Sequence, residues 1–125
     1  MSPSAWVAFV VAGAGGAVAR YLLDRAVADR AQGVFPWGTL VINLTGSFLL
    51  GVITGLALHH GLPKAGKIVL GTGFCGAYTT FSTFSYETVR LIEEGSLAEA
   101  ALNVGASLIV GLLAGAAGLG LALLG

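Results

Sequence analysis

Within the uncharged run Ile68 to Tyr86, four hydroxyl residues, Thr79, Thr80, Ser82 and Thr83, surround two phenylalanines, Phe81 and Phe84. Hydroxyls in such apolar company are costly unless they are hydrogen-bonded or turned towards water. The phenylalanines stand at i and i+3, so on a helix their rings share one face. Aromatic faces are electronegative and their edges electropositive. A ring met edge-on therefore attracts an anion without the fixed charge that would trap it. Just upstream, Gly71, Gly73 and Gly76 make a poor sequence for an unbroken helix. Backbone carbonyls freed at such a break can coordinate a cation.

Two further stripes have the same polar character. Thr39, Asn43 and Ser47 recur every four residues, and so do Asn103 and Ser107, continued by Gly111 and Gly115. Each set lies on one face of a helix. With the hydroxyl-rich segment they suggest a polar pathway through apolar surroundings. No acidic or basic side chain stands in the middle of any uncharged run, which argues against a proton relay, since such relays use intramembrane acids or histidines. His59 and His60 stand at the end of a run. The single cysteine, Cys75, has no histidine placed to activate it, and the serines lack one too, so neither supports nucleophilic catalysis. No enzyme is expected.

The elements that carry these residues follow from charge and hydropathy. The chain is 56% hydrophobic and 10% charged over its 125 residues, with a mean hydropathy of +0.90. Soluble domains are nearer a quarter charged, so lipid is the expected solvent for most of the chain. A net charge of zero gives no electrostatic footprint for nucleic acid. Charged clusters divide the sequence into uncharged runs: Met1 to Ala19, Trp37 to Leu58, Ile68 to Tyr86 and Ala100 to Gly125. A membrane crossing needs about 20 residues as a helix. The expected fold is an all-α membrane protein with four transmembrane helices, the third broken, forming one domain over residues 1–125. The amino terminus has no basic residue before the first apolar run, so a cleaved signal peptide is not expected. Gly13 and Gly15 give G-x-G, but Val18 occupies the third small position and no second strand follows, which excludes a dinucleotide turn. The pairs Gly51/Gly55 and Gly111/Gly115 instead have the small-xxx-small spacing of close helix packing.

Three stretches, GAGGAVARY, WGTLVINLTGSFLLG and GTGFCGAYTTFSTFSYE, resemble in order and spacing the Fluc (CrcB-type) fluoride channels. The third stretch is the most specific, and the match extends over nearly the whole chain. The resemblance implies an antiparallel, dual-topology homodimer with two fluoride pores and a central structural sodium ion. Carried onto this sequence, Phe81 and Phe84 line the fluoride path and Asn43 donates its amide to it. Ser82, Thr83 and Ser107 supply hydroxyls near the pore. Gly76 and Thr79 offer backbone carbonyls to sodium at the dimer axis. Arg20 ends the first span and Glu87 the third. Tyr78 and Gly111 depart from the family pattern, the first by its size and the second by lacking a hydroxyl.

The expected function is passive export of fluoride across the inner (plasma) membrane, lowering its cytoplasmic level. Passive flow follows from the missing intramembrane acid and the absence of a nucleotide-binding motif. The alternative, a small four-helix multidrug-type proton-coupled transporter, requires an embedded glutamate. Arg20, Arg25, Arg30 and Arg90 flank the first and third loops, against Lys64 and Lys67 in the second. Because lysine and arginine set membrane orientation, so small a bias permits insertion both ways.

Overall fold

The computed structural model describes residues 1–31, 33 and 35–124, and its regular elements are all helical. Gly125, the end of the fourth uncharged run, lies outside the described residues. Helix α1 covers Pro3–Ala28, α2 Trp37–His59 and α6 Leu97–Leu124. These three are long and apolar enough to cross a membrane. The shortest, α2 with 23 residues, reaches about 35 Å at the helical rise, against a hydrocarbon core of roughly 30 Å.

Local chemistry sets the ends. The Ser2 hydroxyl accepts the Ala5 N–H at 3.2 Å and caps α1, and Pro3 fills the first turn, where its missing N–H costs nothing. The helix then runs nine residues beyond the uncharged run that ends at Ala19, through Arg20, Asp24 and Arg25. Charge alone does not stop a helix: Arg25 donates to the Tyr21 hydroxyl one turn back at 3.1 Å. In the turn just before α6, Gly95 adopts φ 81°. Gly95 N–H reaches Ile92 O at 3.1 Å and Ser96 N–H reaches Leu91 O at 2.8 Å, closing the preceding helix with a left-handed cap that glycine adopts without strain.

The region between α2 and α6 is built differently. A short α3 (Lys64–Lys67) leads into a π-helical segment, π1 (Ile68–Cys75), then α4 (Gly76–Tyr78), and α5 begins afresh at Phe81 and runs to Glu93. Gly71, Gly73 and Gly76 therefore lie in helical backbone, and the non-helical residues are Thr79 and Thr80. Gly73 and, across from it on α1, Gly16 serve packing. A Cβ on Gly73 would lie 3.2 Å from the Phe9 carbonyl oxygen, and one on Gly16 would strike the carbonyl of Phe74.

Close approach of backbones explains the register of the bundle. A Cβ on Gly111 would lie 3.8 Å from Ser47 Oγ, and one on Gly55 would lie 2.5 Å from the Ala122 Cβ. Between these levels a Cβ on Gly51 would meet the Gly115 carbonyl, and one on Gly118 the Phe48 carbonyl. Contacts advance in the same direction along both helices, so α2 and α6 are parallel. Gly13, Gly16 and Gly73 show the same order between α1 and the π1–α4 segment. The small-residue spacing thus builds the α2–α6 seam, where van der Waals contact rather than the hydrophobic effect holds helices together in lipid. The outer faces are apolar and exposed, with Val7, Val10 and Val11 on α1 and Leu108, Leu112 and Leu113 on α6.

Candidate functional site

The site grows from the interruption after α4. Thr79 (φ −78°, ψ 158°) and Thr80 (φ −146°, ψ 114°) are extended. Extended backbone inside an apolar bundle leaves polar groups that must find partners. Thr80 finds them in the side chain of Asn43 on α2. The Asn43 Nδ2 donates to the Thr80 carbonyl at 3.2 Å, and the Thr80 N–H donates to Asn43 Oδ1 at 3.0 Å. The Thr80 hydroxyl in turn accepts the Thr83 N–H at 3.1 Å and caps α5. Thr79 N–H and its hydroxyl both donate to Cys75 O, each at 2.9 Å.

These bonds have a consequence for two carbonyls. In a continuous α-helix Gly76 O would accept from Thr80 N–H, and Thr79 O from Thr83 N–H. Both donors are taken by side chains, Asn43 Oδ1 and Thr80 Oγ1. The carbonyls of Gly76 and Thr79 therefore lose their helical donors, and both residues line a groove of about 330 Å³ together with Asn43, Ser47, Thr80 and Phe81. Oxygen of this kind suits a hard monovalent cation.

Phe81 opens α5 with 79% of its surface exposed, and Phe84 is half-buried one turn on. Their ring centroids are 5.9 Å apart with planes at 44°, so the i, i+3 spacing puts the two rings side by side. Asn43 has one amide hydrogen beyond the one given to Thr80. Of the remaining residues singled out in the sequence, Ser82 is exposed beside Thr80, their hydroxyls 3.5 Å apart. Thr83 contributes its N–H to the cap of α5. Arg20 sits on α1, and neither it nor Glu87, Phe84 or Ser107 lines this groove.

A second polar layer lies along α5. The buried Thr39 hydroxyl donates to Glu87 Oε1 at 2.5 Å. Thr88 donates to Phe84 O at 2.8 Å and accepts from Asn103 Nδ2 on α6 at 2.9 Å. Ser107 follows one turn further along α6, with its hydroxyl oxygen buried. All members of the stripe Thr39, Asn43 and Ser47 thus face the π1–α5 region or α6. The parallel register also brings Asn103 and Ser107 towards the same interior.

Sequence reasoning missed three partners. Thr80 had a readable signal, since threonine before a helix is a preferred cap, but its pairing with Asn43 spans 37 residues. Thr88 carries no local signal for its bond to Asn103. Tyr78, marked only by its size, bonds through its hydroxyl to Thr45 Oγ1 at 2.7 Å and stacks on Phe74 at 5.7 Å. It thereby ties α4 to α2.

The family model described as CrcB-like protein, Camphor Resistance (CrcB), matches residues 7–119. A protein of Leifsonia xyli named fluoride-specific ion channel FluC 1 is 53% identical over 121 residues, covering 97% of this chain and 87% of the relative. One of Frankia casuarinae with the same name is 48% identical, covering 94% of each. Fluoride-specific ion channel FluC 2 of Mycobacterium bovis is 47% identical, covering 87% of this chain and 83% of the relative.

Proposed function

The chain belongs to the CrcB-like family, and on that premise we propose that it is a fluoride channel exporting the ion passively across the cell's inner membrane. It is a membrane protein and not an enzyme. The observation that carries the reading is the extended Thr79–Thr80 interruption, beside a groove that Phe81 and Asn43 both line. Fluoride sheds strongly held water on entering, and ring edges, one Asn43 amide hydrogen and nearby hydroxyls replace part of that shell. None of them carries a full positive charge, and conduction needs sites weak enough to leave. Ser82, Thr83 and Ser107 extend the hydroxyl supply, while Arg20 and Glu87 lie within α1 and α5 and not at their ends.

Four crossings, with residues 1–125 as one domain, are supported by the parallel register of α2 and α6. Two parallel helices begin on the same side of the membrane, so the chain between them must return across it. The interrupted π1–α4–α5 region is then the third crossing. Extended backbone at membrane depth needs cover from protein or a water-lined cavity, and an antiparallel second copy provides that cover. Such a homodimer brings two interruptions together. The carbonyls of Gly76 and Thr79, already without helical donors, then supply four oxygens to a structural sodium ion. Purified protein in liposomes tests the channel: selective fluoride efflux without a proton gradient supports it, and efflux that needs such a gradient refutes it.

A further inference from the structure

Asn103 is fully buried on α6, with 0% of its surface exposed. Its Nδ2 donates to Thr88 Oγ1 at 2.9 Å. The single hydroxyl hydrogen of Thr88 is committed to Phe84 O at 2.8 Å, so towards Asn103 that oxygen can only accept. The Phe84 carbonyl therefore fixes the Thr88 proton, and the Thr88 proton fixes which way round the Asn103 amide stands. Oδ1 is turned away from Thr88. It is buried and has no hydrogen-bond partner among the described residues, and the same holds for Ser107 Oγ. Ser107 is four residues on and lies on the same face of α6.

Buried polar atoms are seldom left without partners. Oδ1 has only lone pairs to offer, so it demands a donor and rejects an anion. A divalent metal would need more oxygens than these two atoms supply, and no cluster of metal-binding side chains occurs among the described residues. Side chains four apart on a helix have Cβ atoms about 5–6 Å from each other, a gap that one water spans with an ordinary hydrogen bond to each side. We propose that a single ordered water bridges Asn103 Oδ1 and Ser107 Oγ. It donates one hydrogen to Oδ1, accepts the Ser107 hydroxyl hydrogen, and keeps its second hydrogen free. Through Asn103 and Thr88 the relay ties this water to the backbone carbonyl of the second phenylalanine. Resting on the channel reading above, the free hydrogen is a fixed donor for fluoride passing that ring. Asn103 then acts on the anion through the water, as a positioning residue.

Two measurements test this on the full-length protein. A crystal structure that resolves solvent should show a peak about 2.7–3.2 Å from both atoms. A dry contact there, or an amide with Oδ1 on Thr88, overturns the proposal. In liposomes, Asn103→Leu and Ser107→Ala should each slow fluoride efflux on the order of tenfold, the worth of one ordinary hydrogen bond. The double variant should be no slower than the slower single one, because either change already releases the water. Losses that multiply overturn it. Should Asn103→Leu fail to fold, the solvent peak and its disappearance in Ser107→Ala decide the matter. If the unaltered protein carries no fluoride, the channel reading fails while the peak still decides the water.

Discussion

Asn43 stands to Thr80 as one β-strand residue stands to its neighbour: its side-chain amide gives and receives a hydrogen bond with that residue's backbone, at 3.2 and 3.0 Å. A side-chain amide can do both from one planar end without carrying charge. The polar stripe on α2 and the interruption before α5 are therefore one feature. Asn43→Ala leaves a donor and an acceptor without partners, at about 1–3 kcal/mol each when buried. The groove admits some water, so the expected loss is nearer 2 kcal/mol in total, read as earlier thermal unfolding. Asn43→Asp keeps the acceptor, removes the donor and adds an anion beside the path. Its second oxygen then faces the Thr80 carbonyl without a proton between them, so the aspartate should cost at least as much stability as the alanine and lower fluoride efflux at least as much. Equal stability of all three proteins would show that the clamp does not hold the interruption.

Phe81 and Phe84 should act through their ring edges. Replacement of either by isoleucine preserves bulk and apolarity but removes the quadrupole. Fluoride efflux from liposomes should fall by at least tenfold while size-exclusion chromatography still shows the assembled protein. Parent rates in both variants would reduce the rings to packing.

Sodium should stabilise the assembly through backbone oxygen. Exchange of sodium for a large organic cation should lower the unfolding temperature. Thr79→Val should leave that sodium dependence largely intact, because the Thr79 hydroxyl is already spent on Cys75 O. Anomalous scattering from a heavier monovalent cation should appear between the Gly76 and Thr79 carbonyls of two copies. Stability indifferent to the cation, with no such density, would remove the site.

The α2–α6 seam should be intolerant of a single methyl group. Gly118→Ala would push a Cβ into the Phe48 carbonyl, whereas a Cβ on Gly120, two residues on, meets nothing within 4 Å. Gly118→Ala is expected to lower unfolding temperature and the yield of monodisperse protein, overpacking of this kind costing about 1–3 kcal/mol. Gly120→Ala should behave as the parent. Identical behaviour of the two variants would count against this packing.

Insertion in both orientations is the outcome expected from the weak arginine and lysine bias between loops. With Cys75 replaced by serine, a cysteine introduced at exposed Glu93 should be labelled from both sides of the membrane. Labelling from one side alone would exclude an antiparallel pair.

What the sequence alone determined is what depends on composition and local spacing. Scarce charge and long uncharged runs dictate helices in lipid, because a 10% charged chain cannot cover its own core with polar groups. The bounds of α2 were legible for that reason, as were the side-by-side rings of Phe81 and Phe84, whose separation of three residues is a property of any helix. The glycine spacing announced close packing. Tertiary structure decided which backbone met which, and where the helix gives way. Glycines at 71, 73 and 76 lower helix propensity, yet they stay helical, Gly73 packed against Phe9 and Ala12 of α1 and Gly71 against Leu50 of α2. The interruption falls instead at two threonines, where Asn43, 37 residues away, offers the backbone a better partner than the next helical turn. Pairing across such a distance leaves no periodic trace in the chain. The same holds for Thr88 and Asn103, on separate helices, whose bond fixes the direction of a buried amide. Propensity is a sum over neighbours in sequence, whereas these polar contacts are settled by neighbours in space.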